Sequence, residues 1–255
     1  MVFPIGDDNA DRSTFPVVNV VFIVINLLVF FVLQGAGSNL DFTYAFSTVP
    51  AEILSGKDLA TEDRLIPVSV QGGKQVEMRL PGLKVTPIPV YLTLITSMFM
   101  HGGIMHIAGN MWFLWIFGDN IEHDMGKPRY LAFYLLCGIL ASLAHVFTNT
   151  TGQGALIPSL GASGAISGVM GAYLLLHTFR RVTVLLFRFI MDVPGWVAVG
   201  LWFGFQIVSS LAGQSDGVAY AAHIGGFIAG AALAYPFMVG RRKPASYERL
   251  TQEPS

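Results

Sequence analysis

Charge is what this chain lacks. Asp, Glu, Lys and Arg together make up 12% of its 255 residues, about half the share of an ordinary soluble domain. The 15 basic and 16 acidic side chains leave a formal net charge of −1, so the basic stripe of a nucleic-acid-binding surface is absent. A single cysteine, Cys137, excludes an intrachain disulfide framework and a cysteine-based zinc site; it reads as a small core residue. No His-Glu-x-x-His string occurs, and His101 and His106 are five apart, on divergent helix faces, so no metal site is expected. Internal repeats and low-complexity tracts are missing too. What the chain has instead is apolar surface: 53% hydrophobic residues and a mean hydropathy of +0.58. That composition describes a polytopic membrane protein.

The charges that do occur are separated by long gaps. None falls in 13–40, 85–118, 130–179, 193–215 or 217–240, stretches of 28, 34, 50, 23 and 24 residues. A membrane helix needs about 20 apolar residues to cross ~30 Å of hydrocarbon. The 50-residue gap therefore holds two spans, with the turn at Asn149-Thr-Thr-Gly-Gln-Gly154. The spacing predicts six spans, at 17–33, 101–117, 130–147, 161–179, 194–211 and 218–239, in an all-α bundle. Residues 1–16 read as an N-terminal tail, 17–240 as the membrane domain and 241–255 as a C-terminal tail. A polar stretch, 39–89, forms a long first loop with too few apolar residues for a core of its own. The first span has no basic leader and is long for a signal peptide, so it reads as an anchor.

Orientation follows from the basic residues. Arg12, Lys127, Arg129, Arg180, Arg181, Arg188, Arg241, Arg242, Lys243 and Arg249 share one side of this arrangement, whereas Lys57, Arg64, Lys74, Arg79 and Lys84 all sit in the first loop. The expectation is a multi-pass protein of the cell (inner) membrane with both termini cytoplasmic. The short apolar segment 182–189, which carries Arg188, is placed at the cytoplasmic interface.

Polar residues inside spans are costly and mark functional sites. Span 2 carries His101, His106 and Asn110; span 4 opens Gly161-Ala162-Ser163-Gly164 and continues to Ser167 and Gly168; span 6 holds Ala222-His223-Ile224-Gly225-Gly226 and Gly230. Spans 2, 4 and 6 all start on the non-cytoplasmic side. Ser163 lies about three residues into its span and His223 about six, which places both ~5–10 Å deep at ~1.5 Å per residue. His106 and Asn110 are four apart and share a helix face. Gly164, Gly168 and Gly171 line one stripe of span 4, and Gly226 and Gly230 share the His223 face of span 6. Small-residue faces let membrane helices approach closely, bringing Ser163 or Ser167 within reach of His223. A hydroxyl beside a neutral imidazole is an activated nucleophile. The spans hold no carboxylate pair for an aspartyl mechanism and no symmetry-related broken helices of a transporter. His145 and His177 read as structural or interfacial.

Together, Gly161-Ala162-Ser163-Gly164, Ala222-His223-Ile224-Gly225-Gly226 and His101-x4-His106-x3-Asn110 resemble the signature motifs of the rhomboid intramembrane serine proteases. Gly118-Asp119-Asn120-Ile121-Glu122 is also family-like, and Pro4-Ile-Gly-Asp-Asp-Asn9 resembles compact bacterial members. The resemblance implies an endopeptidase that cleaves the membrane helices of other proteins near the outer leaflet, without cofactor. Ser163 would be the nucleophile and His223 the general base; His106, Asn110 and the Ser163 backbone N–H would form the oxyanion hole. Substrate access would be controlled by the first loop, residues 212–217 or span 5. The alternative is a catalytically inactive relative that binds membrane clients. Two positions depart from the family pattern. Where some members place a Tyr that stacks on the catalytic histidine, this chain has Ser167. The first-loop Trp-Arg pair of many members is replaced by Leu92-Thr93. With no buried carboxylate on offer, packing is expected to orient the imidazole.

Overall fold

The computed structural model of this chain describes residues 2–10, 12–69, 75–212 and 218–241. The C-terminal tail from 242 and most of the 212–217 connection lie outside the described residues. Six apolar helices dominate: α1 (Val17–Leu28), prolonged by one π-helical turn (Val29–Leu33), α5 (Ile104–Met125), α6 (Lys127–Thr148), α7 (Ser163–Leu176), α8 (Gly195–Leu211) and α9 (Tyr220–Met238). The first loop adds the short helices α2 (Leu40–Ala45), α3 (Pro50–Ser55) and α4 (Thr93–Thr96) and a hairpin of β2 (Arg64–Ser69) with β3 (Gln75–Leu80). The fold is a helical membrane bundle.

Several lengths differ from the hydropathy reading. By length and composition α6 and α9 can each cross a membrane, and so can α5 taken together with Val90–Phe99, from which it is bent by 81°. Helix α5 does not stop at 117 but runs on through Asp119, Glu122 and Asp124. Those carboxylates survive in a helix because they bond to other elements. Helix α7 has only 14 residues, about 21 Å at 1.5 Å per residue. Ser163 is its first residue rather than lying a turn inside it, so the short helix itself sets the depth of that side chain.

The family-like segment after span 2 holds α1. Glu122 accepts the N–H groups of Val18 (3.1 Å) and Asn19 (2.7 Å), capping first-turn donors that a helix cannot satisfy from within. Asn19 in turn donates to the Leu114 carbonyl and accepts from the Tyr130 hydroxyl. Gly118 has no side chain because a Cβ there would collide with Asn19 Oδ1.

The same end of the bundle carries a sheet that the helical periodicity did not disclose. β1 (Val2–Asp7) pairs antiparallel with β4 (Arg181–Leu186), and β4 with β5 (Phe189–Pro194). Segment 182–189 is a strand and turn because its alternation has period two: Val182 and Val184 are buried while Arg181 is exposed. Asp7 anchors the N-terminal strand by accepting hydrogen bonds from Tyr173 Oη (2.8 Å) and Asn120 Nδ2 (2.6 Å). Arg12 pairs with Asp119, Arg180 bonds Asn120 and the Asp8 carbonyl, and Arg241 bonds the carbonyls of His123 and Asp124. His177 is fully buried, with Nε2 2.7 Å from Asp124.

The core is aromatic at the crossing of α5, α6 and α7, where Phe117, Tyr130, Phe133, Tyr134 and Tyr173 are buried. The outward faces are apolar as well: Trp115, Leu201, Phe205 and Ile228 are each more than half exposed, which suits lipid rather than water. Helices α7 and α9 touch backbone to backbone. A Cβ on Gly226 would collide with the Gly164 carbonyl, one on Gly230 with the Gly168 carbonyl, and one on Gly171 with the Phe227 carbonyl. Gly200 on α8, by contrast, faces open space. Gly230→Ala should therefore destabilise by about 1–3 kcal/mol, as overpacking does, and Gly200→Ala should be neutral. Thermal unfolding in detergent checks this; equal midpoints for the two variants would contradict it.

Candidate active site

The chain enters α7 through Gly161, whose φ of +122° only glycine adopts readily. That turn is fixed from outside. Gly161 N–H donates to the Ser97 carbonyl, while Ser159 exchanges two backbone hydrogen bonds with Thr48 of the first loop (3.0 and 2.8 Å). Ser163 follows immediately, so its hydroxyl stands at the helix start. On α9, His223 sits in the first turn, three residues before Gly226. The glycine contacts draw the two helix starts together, and His223 Nε2 lies 2.8 Å from Ser163 Oγ. Ser167, the other candidate nucleophile, is fully buried and donates to the Ser163 carbonyl (2.6 Å). Its hydroxyl is spent on its own helix, and the imidazole faces Ser163.

The other face of the imidazole meets a residue that sequence reasoning passed over. Gln206 of α8 is 6% exposed, and its Oε1 lies 2.8 Å from His223 Nδ1. One turn earlier on α8, the Trp202 ring stands 6.1 Å from the imidazole, and Tyr220 presents an edge at 6.4 Å. An amide in the otherwise charge-free 193–215 stretch was the available signal. It gained meaning only once α8 was seen to face α9.

His106 borders the same space. Its Nδ1 accepts the Gly102 N–H (3.3 Å), which leaves the proton of the neutral ring on Nε2. A Cβ built on Gly161 would lie 3.0 Å from His106 Nε2 and 3.5 Å from Ser163 Oγ. Glycine at 161 thus keeps open a position flanked by the Ser163 hydroxyl and the His106 ring. Asn110 is 7% exposed and donates to the His106 carbonyl, within its own helix. His101 is fully buried, its ring 5.1 Å from that of His106 and its backbone held at both ends by Gln34. A cavity of about 20 Å³ beside Ser163, lined by Ser97, Gly138, Ala141, Ser142, Ser159 and Gly164 among others, has room for about one water. Among the described residues, no three His, Cys, Asp or Glu side chains stand close enough to share a metal ion.

The profile of the Rhomboid domain matches residues 89–240. The chain belongs to the rhomboid family. Similar rhomboid proteins include Rhomboid protein 1, mitochondrial, of Saccharomyces cerevisiae, 35% identical over 147 residues that cover 54% of this chain and 40% of the yeast protein. Rhomboid protease GluP of Bacillus subtilis is 36% identical over 145 residues, 56% of this chain and 26% of GluP. The human Presenilin-associated rhomboid-like protein, mitochondrial, is 31% identical over 153 residues, 55% of this chain and 38% of the human protein. The chain thus matches less than half the length of each of these relatives. Both the profile match and the bundle make it an integral membrane protein.

The rhomboid match starts where the first loop ends. That loop nonetheless holds the segment leading into Ser163, through the Thr48–Ser159 bridge, and it contains a buried acid. Glu52 is 1% exposed; Oε1 accepts the Leu59 N–H, and burial raises the pKa of its carboxyl from 4.5 to about 7. Between those values the folded loop keeps a proton that the unfolded chain has released. Stability contributed by the neutral form is complete below about pH 4.5 and declines as pH rises towards about 7. The unfolding midpoint should therefore fall across this window, and Glu52→Gln should flatten the fall; identical slopes for both proteins would contradict the assignment.

Proposed function

We propose that this rhomboid is an intramembrane serine endopeptidase that cleaves transmembrane segments of other membrane proteins. The observation that carries the reading is the 2.8 Å contact between His223 Nε2 and Ser163 Oγ, supported by a relative whose name is Rhomboid protease GluP. In this reading His223 takes the hydroxyl proton as Oγ attacks the substrate carbonyl. The resulting oxyanion occupies the space left open at Gly161. Its donors are His106 Nε2–H, the Ser163 backbone N–H at the start of α7, and Asn110 once its amide turns from the His106 carbonyl. Such donors act most strongly where water is scarce, and the N-terminal end of α7 adds a favourable dipole. The protonated imidazole then gives its proton to the departing amine, which breaks the C–N bond and leaves an acyl group on Ser163. Water, for which the cavity beside Ser163 has room, attacks the ester with His223 again acting as base, and releases the acid.

The basic residues gathered at the sheet end, opposite the dyad, support an orientation with both termini cytoplasmic and the active site opening outward. An inactive client-binding relative would not need a hydroxyl and an imidazole held at hydrogen-bond distance.

Purified protein in detergent should react with a fluorophosphonate and cleave a single-span reporter helix. Ser163→Ala and His223→Ala should lower both by at least about 10³-fold, the scale set by loss of a nucleophile or base. Ser167→Ala should keep both. Labelling that survives Ser163→Ala and disappears in Ser167→Ala would transfer the role to Ser167, and an unreactive wild-type protein would favour the client-binding alternative.

A further inference from the structure

A neutral imidazole has two tautomers, and only the one protonated on Nδ1 leaves Nε2 free to accept a proton from a hydroxyl. Ring contacts cannot choose between them. Trp202 and Tyr220 limit where the His223 ring can lie, but a ring contact does not tell one nitrogen from the other. The position where a family tyrosine would stack is Ser167, whose hydroxyl is engaged with the Ser163 carbonyl. The Gln206 amide oxygen, 2.8 Å from Nδ1, can make that choice.

We propose that Gln206 is the positioning residue of the catalytic base: its Oε1 accepts the Nδ1–H of His223 and so selects the tautomer and ring angle that aim Nε2 at Ser163. The proposal rests on the Ser163–His223 reading above. Placement on α8 makes the hold rigid. Val199, Trp202, Gln206 and Ser209 recur at helical spacing and form the face of α8 turned inward, with Val199, Gln206 and Ser209 each under 7% exposed. Phe203 stacks on Phe227 of α9 with ring centroids 3.9 Å apart and planes 11° from parallel. That stack fixes the rotation of α8 about its own axis, one turn from Gln206 and one turn below His223. The choice of an amide is also intelligible. A carboxylate here would have to be stripped of water beside a lipid-facing helix, at a large cost; a neutral carbonyl oxygen accepts the same hydrogen bond without it.

The test separates positioning from packing. Gln206→Met keeps the volume and removes the acceptor, whereas Gln206→Glu keeps the acceptor. Cleavage of a single-span reporter helix in detergent and the thermal midpoint are measured for both variants, for wild type and for Ser163→Ala. Gln206→Met should lower kcat by about 10- to 100-fold, the scale for a mis-aimed catalytic group, with KM within about twofold and an unchanged midpoint. Gln206→Glu should recover most of the lost turnover even though burying its carboxyl group lowers the thermal midpoint. Wild-type kcat in Gln206→Met, equal losses in the two variants, or a loss that tracks the midpoint would each overturn the proposal. Because wild type and Ser163→Ala are assayed alongside, a failure of the dyad reading shows itself separately, as wild-type protein that does not cleave or Ser163→Ala protein that still does.

Discussion

The contact of α7 with α9 governs this molecule. Two helices in lipid have no hydrophobic force to press them together, because the surrounding chains are as apolar as their side chains. Close approach has to come from surface shape, and here it comes from removing side chains altogether. Gly226 fits against the Gly164 carbonyl and Gly230 against the Gly168 carbonyl, with Cys137 of α6 closing the third side. Any Cβ at these places would wedge the helices apart. A hydrogen bond between groups on two separate helices is sensitive to shifts of a few tenths of an ångström. The glycine contact therefore fixes the separation at which Ser163 and His223 can meet.

Around that contact the bundle divides its tasks by end. The sheet end is polar and heavily bonded: Glu122 caps α1, Asp7 ties down the N-terminal strand, Arg12 pairs with the Asp119 carboxylate, and Arg180 bonds the Asn120 amide and the Asp8 carbonyl. The opposite end holds the contact between Ser163 and His223. There a short α7, entered through Gly161 and held by the Thr48–Ser159 bridge, presents its first residue rather than a mid-helix position. The groups that meet there are the Ser163 hydroxyl, the His223 imidazole and the Gln206 amide, with the His106 ring beside Gly161.

Much of this was readable from the sequence, and the reasons are specific. Charge-free gaps mark apolar helices because each ion in lipid is costly. Ser163, His223, His106 and Asn110 stood out because polar groups are scarce there; the structure sets His106 and Ser163 beside Gly161 and His223 against Ser163, while the Asn110 amide bonds within its own helix. Helix boundaries were less legible. Hydropathy could not show that α5 continues past Asp119, because the bonds that make the carboxylates of Asp119 and Glu122 tolerable come from Arg12 and from the start of α1, a hundred residues away. The sheet escaped notice for a similar reason: β1 and β4 are separated by most of the chain, and a six-residue apolar run has no unambiguous period. Gln206 was missed because a lone amide acquires a partner only when two helices are placed face to face. The bracing of His223, left to packing by the sequence, comes from an amide oxygen and an indole on α8.

The most direct measurement of the account is a crystal structure of the protein after reaction with a phosphonate inhibitor. The account predicts phosphorus bonded to Ser163 Oγ, its oxygen lying in the gap at Gly161 within hydrogen-bond distance of His106 Nε2, and α7 still in backbone contact with α9. An adduct on any other side chain, or a phosphonyl oxygen directed away from Gly161 and His106, would contradict it.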